Sequence, residues 1–438
     1  MNKSQKVKNA KKNYDNRRNH KFVNNTEYDN FDNVFTYQHF FEALKKCKKG
    51  VNWKNSVQKY DQHAITEITN TLEKLREGSL PRYTSTKQIV IMERGKARII
   101  VPITIWDRMT QRVLCDYALV PVLRKTLIYD NGASLSGKGV EFTRNRLEEH
   151  LISALREYGT EFYALVFDFK SFFDSIPHRT CYDVLSHNFN DERIVNIAMD
   201  IIKSYQRVTL MKEPDTPERA EKLRILENNG SNGICLGSQV SQIMALAVPN
   251  KLDHYIKDDR SVKHYIRYMD DGVIFSDSKE FLNQLLKDMR KVIDELGLRF
   301  NDKKTRITKM SNGFVFMKVH YSITPSGKIL KTLTRPGITR MRVKLKKFRK
   351  MVDNGELSYD DVYNSMQSWL AHAKIAMSYN TQKTMLKLYN QLYDGYKITK
   401  KYEHCKGGRT NELLQADRWN DFSWDSYISG YEALSDET

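Results

Sequence analysis

Residues 263–278 read KHYIRYMDDGVIFSDS, an apolar, aromatic and β-branched stretch that carries Asp270 and Asp271 side by side. Adjacent carboxylates repel one another, and holding them beside a buried sheet is costly unless a cation neutralises them. HYIRY and GVIF have the composition of strands. The M-D-D-G between them contains Asp-Gly, the dipeptide that favours the positive backbone angles of a tight hairpin turn. The stretch therefore predicts a β-hairpin with both aspartates at or near its tip. Turn chemistry alone would account for an isolated aspartate there, so a second carboxylate in a matching setting is needed to argue for more.

FYALVFDF, residues 162–169, supplies it: an uninterrupted apolar strand that reaches Asp168 at its end. A strand end can present a ligand to a cleft without burying an unpaired charge. Asp174 and Ser175 then offer an N-cap, with Pro177 suited to the first turn of the following helix. Asp168 lies far from Asp270 and Asp271 in sequence, so the three can meet only through the fold. Together they would make an oxygen-rich site suited to Mg²⁺, which binds through one or two carboxylates plus substrate phosphates, with Mn²⁺ as the alternative ion. Two such ions would activate a 3′-hydroxyl and stabilise a leaving pyrophosphate, which is polymerase chemistry.

The charge balance points the same way. The 438 residues hold 72 Lys and Arg against 53 Asp and Glu, a formal net charge of +19, and the basic residues recur along almost the whole chain. A polyanionic partner follows. The longest apolar run, FYALVF, is far short of the ~18 residues that a membrane helix needs, so no membrane association is expected. The first residues, MNKSQKVKNAKKNYDNRRNHK, are basic and Asn-rich with no apolar core, and read as a flexible nucleic-acid arm rather than a signal or anchor. Cys47, Cys115, Cys181, Cys235 and Cys405 are scattered with no C-x-x-C pair, which argues against zinc and disulfides and for reduced thiols in a cytoplasm.

Periodicity orders the rest. VFTYQHFFEALKKC and HAITEITNTLEKLREGSL have helical spacing, QIVIMERGKARIIVP reads as a hairpin around Arg94-Gly95, and Trp106–Leu127 returns to helical spacing. NGICLGSQVSQIMALAV is a glycine-rich loop running into a helix that Pro249 should interrupt. LNQLLKDMRKVIDELGL is an amphipathic helix closed by Gly297, and GFVFMKVHYSITPSGKILKTL is strand-rich with a Pro-Ser-Gly turn. From about Thr339 the chain is basic and helical, with Trp369, His372 and several tyrosines among the cations.

FDFKSFFDSIPH, GICLGSQVSQIMA and YIRYMDDGVIF resemble, in this order, the palm motifs of reverse transcriptases, in particular the bacterial kind related to group II intron, retron and diversity-generating enzymes. GKARIIVPITIWDRMTQRVL with LIYDNGASLSGKGVEFT resembles their fingers, LGLRFNDKKT their lysine-bearing palm segment, and GFVFMKVHYSITPSGKI their primer-grip hairpin. The resemblance implies an α+β right-hand polymerase fold with fingers, a palm built on an antiparallel sheet and a helical thumb. Its divisions would be a basic arm over 1–32, N-terminal helices and fingers over 33–160, palm over 161–333, and helical thumb with C-terminal tail over 334–438.

The same resemblance assigns roles residue by residue. Asp168, Asp270 and Asp271 are the catalytic metal ligands, with Phe169 among the metal-contacting positions. Arg98 clamps triphosphate oxygens as a guanidinium can, and the missing upstream finger lysine has Arg94 or Lys96 as substitutes. Gln242 and Lys304 join the nucleotide site, with Lys303 as an alternative to Lys304. Gly237, Ser238, Tyr268 and Met269 contact template and primer, and Cys235 stands where relatives often carry proline. Phe172 is expected to sit under the sugar and exclude a 2′-hydroxyl, with Phe173 packed behind it. The implied function is RNA-directed DNA synthesis from deoxynucleoside triphosphates on a dedicated non-coding RNA, yielding complementary DNA. A stand-alone enzyme in bacterial anti-phage defence is the expected setting, and an oligomer is compatible with it. An RNA-binding or maturase-like role, and template-independent or protein-primed synthesis, are the alternatives.

Overall fold

The computed structural model describes residues 27–79, 89–93, 96–100 and 102–394, with the side chains of 92–99 outside that set. Expectations on the basic leader before residue 27, on Arg94 and on Cys405 therefore lie outside the described residues.

Four helices lead: α1 (Phe31–Val34), α2 (Tyr37–Cys47), α3 (Asn55–Gln62) and α4 (Ala64–Arg76). The hairpin of β1 (Ile89–Glu93) and β2 (Lys96–Ile100) follows, then α5 (Ile105–Leu114), which passes through a π turn at Cys115–Leu119 into α6 (Val120–Leu123). Next come α7 (Val140–Tyr158), β3 (Tyr163–Asp168), α8 (Phe172–Ser175), α9 (His178–Asn188), α10 (Glu192–Leu210) and α11 (Pro217–Glu227). After α12 (Gln239–Ala247) and α13 (Asn250–His254), a π turn at Tyr255–Asp259 leads to β4 (Tyr265–Tyr268) and β5 (Asp271–Ser276). The chain closes with α14 (Lys279–Glu295), β6 (Arg306–Lys309), β7 (Phe314–Phe316), β8 (Val319–Ile323), β9 (Ile329–Leu333), α15 (Arg335–Asp353), α16 (Tyr359–Ala373) and α17 (Tyr379–Leu392).

The central sheet has the order β4-β5-β3-β6 with antiparallel neighbours throughout. Because β3 is apolar on both faces, it can be covered on both. Leu165 and Phe167 enter one core with Tyr265 and Ile274, while Ala164 enters a second with Ile266, Val273 and Phe275. That split is the two-residue side-chain period of a strand. The first core is closed by helices, among them α14. This helix starts at Ser278, whose side chain accepts from the Phe281 N–H, and buries Leu282, Leu285, Met289 and Ile293 on one stripe. Each such burial contributes about 1.5–3 kcal/mol. The second core is closed by α7 and by the meander β7-β8-β9. A third, separate core joins α15, α16 and α17 through Met341, Leu345, Met366, Leu370 and Tyr389.

Two local expectations change. Pro177 is the residue preceding α9 rather than part of its first turn, and no side chain caps that helix, because Phe172–Ser175 already form a short helix of their own. Pro249 does end the glycine-loop helix: α12 stops at Ala247 and α13 starts at Asn250.

Candidate active site

Asp168 is the last residue of β3 and Asp271 the first of β5, and the register sets them directly opposite one another. Tyr268 pairs with Asp271 on the other side, so Met269 and Asp270 form a two-residue turn. The positive backbone angle falls on Met269, with φ 52°, and not on the glycine. This corrects the Asp-Gly turn expected from the sequence. Gly272 lies inside β5 opposite Phe167, and a Cβ there would run into the Phe167 ring. Its absent side chain serves close packing; the turn is held by other means.

Asp168 is buried and well partnered. Its Oδ1 accepts from the Lys304 ammonium at 2.6 Å, its Oδ2 from the Asn301 amide at 3.3 Å, and its carbonyl from the Asn301 N–H at 2.7 Å. Asp271 carries the strain of the cluster. Burial, the neighbouring Asp270 and Asp168 charges and a hydrogen bond with Asp168 push its carboxyl group up to about 8, against the pull of Lys304. Burial alone would lower the Lys304 ammonium; the hydrogen bond to Asp168 and the three carboxylates outweigh it and raise it. Lys304 is the lysine whose ammonium meets the carboxylates, at Asp168.

Among the described residues no three His, Cys, Asp or Glu side chains stand together as a ready-made metal cage. The donor set nonetheless fits a hard divalent ion. Asp168 and Asp271 face one another across the register with Asp270 next in the turn, the Lys304 ammonium is already drawn to Asp168, and burial with the neighbouring negative charges pushes the Asp271 carboxyl group up. Mg²⁺ needs only one or two such carboxylates with phosphate and water completing its shell. The Phe169 side chain is buried, so only its main chain faces this cluster, and its N–H donates to the Asp270 carbonyl at 3.3 Å.

The two phenylalanines exchange the surroundings expected of them. Phe172 is 5% exposed, belongs to the main core and stacks on Phe169 with ring centroids 5.0 Å apart. Phe173 is the half-buried ring, packed edge-on against Phe172. Ser171, with φ 47°, turns the chain so that the first ring of α8 points inward. Phe172 is therefore a core ring, and Phe173 is the one of the two that keeps exposed surface.

Ser238 is likewise turned inward. It is 3% exposed, caps α12 by accepting from the Ser241 N–H, and donates to the Gln111 side-chain oxygen at 3.0 Å. Gln111 also accepts from the Gln239 N–H at 3.0 Å. The hydroxyl anchors the loop, and the buried Gln111 that receives it carries no signal in the sequence. Gly237, with φ 109°, bends the loop just before this cap, and half-buried Gln242 lies on the first turn of α12. Tyr268 and Met269 are half-buried at the turn. Arg98 lies on β2 opposite Ile91, with its side chain outside the described set. None of the four cysteines among the described residues is in a disulfide. Trp369 packs on the three-helix core, while Arg335, Arg340, Arg342, Lys346 and Lys347 of α15 are exposed.

The family model described as reverse transcriptase (RNA-dependent DNA polymerase) matches residues 86–321, more than half of the chain. The chain belongs to the reverse transcriptase family. Its antiparallel sheet with flanking helices is the right-hand polymerase fold. The search of curated proteins finds no match. Among solved structures, apo telomerase from Candida tropicalis truncated of its C-terminal domain is similar at 14% identity, with TM-score 0.41, over 61% of this chain and 60% of that one. This reverse transcriptase thus spans about 60% of that structure's length. Telomerase from Candida albicans in complex with a fragment of telomeric RNA is similar at 12% identity, with TM-score 0.38, over 81% of this chain and 68% of that one. Among the described residues no helix is long and apolar enough to cross a membrane.

Proposed function

We propose that this reverse transcriptase copies an RNA template, a dedicated non-coding RNA, into complementary DNA at Asp168, Asp270 and Asp271. The observation that carries the reading is the β3–β5 register, which sets Asp168 opposite Asp271 with Asp270 next in the turn. Divalent ions, when bound by the three aspartates and the Phe169 main chain, supply Lewis acidity to the 3′-hydroxyl and the leaving pyrophosphate. The chain's own groups do the rest. Lys304, whose ammonium holds Asp168, follows negative charge from carboxylate to phosphate. Arg98 clamps the triphosphate. Phe173, the ring that remains half-exposed, floors the sugar. Gln242, Gly237, Tyr268 and Met269 border template and primer, and the exposed cations of α15 grip the duplex backbone.

In this reading the arm, fingers, palm and thumb divide near residues 32, 160 and 333. The lineage is that of the bacterial group II intron, retron and diversity-generating enzymes, with cytoplasmic anti-phage defence as the setting. The test is to sequence the nucleic acid that copurifies with the protein and to measure Mg²⁺-dependent extension of a DNA primer on RNA. A discrete RNA with its complementary DNA, and extension, are expected. RNA alone with no extension would replace the reading with a maturase-like one, and DNA unrelated to any RNA would replace it with template-independent synthesis.

A further inference from the structure

Arg267, inside YIRYMDD, and Asp253, on α13, form an ion pair whose side chains are both 0% exposed. Two buried charges persist only where hydrogen bonds use up their remaining donors and acceptors. Here they do. The Arg267 Nε donates to Asp253 Oδ1 at 2.8 Å and one terminal nitrogen to Asp253 Oδ2 at 2.6 Å. That same nitrogen donates to the Leu246 carbonyl at 2.9 Å, and the other to the Met269 carbonyl at 2.9 Å. Tyr265 adds its hydroxyl to Asp253 Oδ1 at 2.6 Å.

The acceptors are telling. Met269 is the turn residue with positive φ, and its carbonyl belongs to the peptide that leads into Asp270. Leu246 sits in the last turn of α12, where helix carbonyls lack intrahelical partners. One planar fork therefore joins the carboxylate turn to the helix that follows the glycine-rich loop. The backbone of Arg267 is tied in as well, donating to the Asp130 carbonyl at 3.1 Å and accepting from the Gly132 N–H at 3.0 Å. Asp130 in turn holds Lys257, just beyond α13, at 2.9 Å.

We infer that Arg267, clamped by Asp253, is a positioning residue that orients the Met269–Asp270 peptide, and with it the Asp270 carboxylate, relative to the helix of the glycine-rich loop. The inference rests on the proposed role of Asp270. A lysine has three donors on one atom and no fork, so it cannot reach Asp253, Leu246 and Met269 together.

The experiment compares the full-length wild type with Arg267→Lys, Asp253→Asn and the milder Tyr265→Phe. Met289→Ala, in the α14 stripe away from the turn, serves as a matched destabilised control. Tm, kcat and KM for deoxynucleotide, and the half-saturating Mg²⁺ concentration are measured on a primed RNA template well below every Tm. Arg267→Lys is expected to lose about 100-fold in kcat, Asp253→Asn about 10-fold and Tyr265→Phe about 3-fold. KM should stay within about threefold and the Mg²⁺ requirement should rise, while Met289→Ala keeps its kcat at an equal loss of Tm. If Arg267→Lys does not fold, the other two carry the test. Variants falling on the same line of activity against Tm as Met289→Ala would overturn the inference. A wild type without Mg²⁺-dependent extension would overturn the polymerase reading, and the inference with it.

Discussion

Two hairpins in this reverse transcriptase turn through two residues without a glycine, and they are held in different ways. In β4–β5 the turn is Met269-Asp270, with φ 52° at Met269. In β7–β8 it is Met317-Lys318, with φ 47° and 69°. Such angles normally select Gly, Asn or Asp, and an ordinary side chain there costs on the order of 1 kcal/mol or more. The first turn is gripped from beneath by the buried Arg267, whereas the second has an Arg144 terminal nitrogen 3.5 Å from the Met317 carbonyl and an exposed Lys318 at its tip. The same strained geometry is thus met in two ways: one turn is clamped by a buried guanidinium, the other holds an exposed lysine at its tip. The difference lies in what each backbone carbonyl is tied to.

The largest expected effect separates the two turns by function. Asp270→Asn should lower primer extension on the order of 10³-fold or more with Tm and RNA affinity nearly unchanged, because only an ion ligand is lost. Lys318→Ala should lower it only a few-fold, through weaker binding of primed template. Equal losses in the two variants would erase the contrast.

Next in size is the packing around the clamped turn. Phe172→Ala removes a buried ring and should cost about 3–5 kcal/mol in chemical denaturation. Phe173→Ala should cost less but admit ribonucleotides about 10-fold better, since about 1.4 kcal/mol of exclusion corresponds to a factor of ten. Unchanged sugar discrimination in Phe173→Ala would remove it from the nucleotide site.

Replacing Met317-Lys318 by Asn-Gly relaxes the second turn and should stabilise the fold by about 1 kcal/mol. The same exchange is not available at Met269-Asp270 without losing the carboxylate. A loss of Tm on the Asn-Gly exchange would show that the second turn is fastened as firmly as the first.

The smallest effect is a pH dependence beside the glycine-rich loop. Asp107 is buried, its Oδ2 accepts from Thr104 at 2.7 Å, and its Oδ1 has no partner among the described residues. Burial pushes its carboxyl group up to about 7, against the Thr104 hydrogen bond. A carboxyl group raised in the fold contributes its stability below the unfolded value near 4, and that stability is lost as pH climbs through about 7. Asp107→Asn should therefore be most stabilising relative to wild type at pH 8 and least at pH 5. A Tm difference independent of pH would show that Asp107 is already charged in the fold.

Much of this was legible beforehand, for a local reason. Apolar runs and alternation mark β3, β4 and β5 because side-chain period follows backbone geometry, and Gly297, with φ 71°, ends α14 as its place after an amphipathic stripe implies. The β1–β2 pairing around residues 94–95 was legible from its β-rich runs. What misled was chemistry with two local explanations. Asp271-Gly272 reads as a turn, yet the glycine is needed by the Phe167 ring from a neighbouring strand. Phe172 and Phe173 are alike in sequence, and only the left-handed Ser171 decides which one enters the core.

The sequence by itself determined the order of the strands and helices, the three aspartates and the basic excess, since these depend on composition and on spacing along the chain. The tertiary structure alone decided that Asp168 faces Asp271, that Lys304 rather than Lys303 meets them, that Gln111 anchors Ser238 and that Arg267 is sealed against Asp253. Each of these pairs a donor or a charge with a partner at least fourteen residues away. Linear pattern says which groups are present. Which of them meet in a low-dielectric interior, where an unpaired charge is costly, depends on the elements that bring them together.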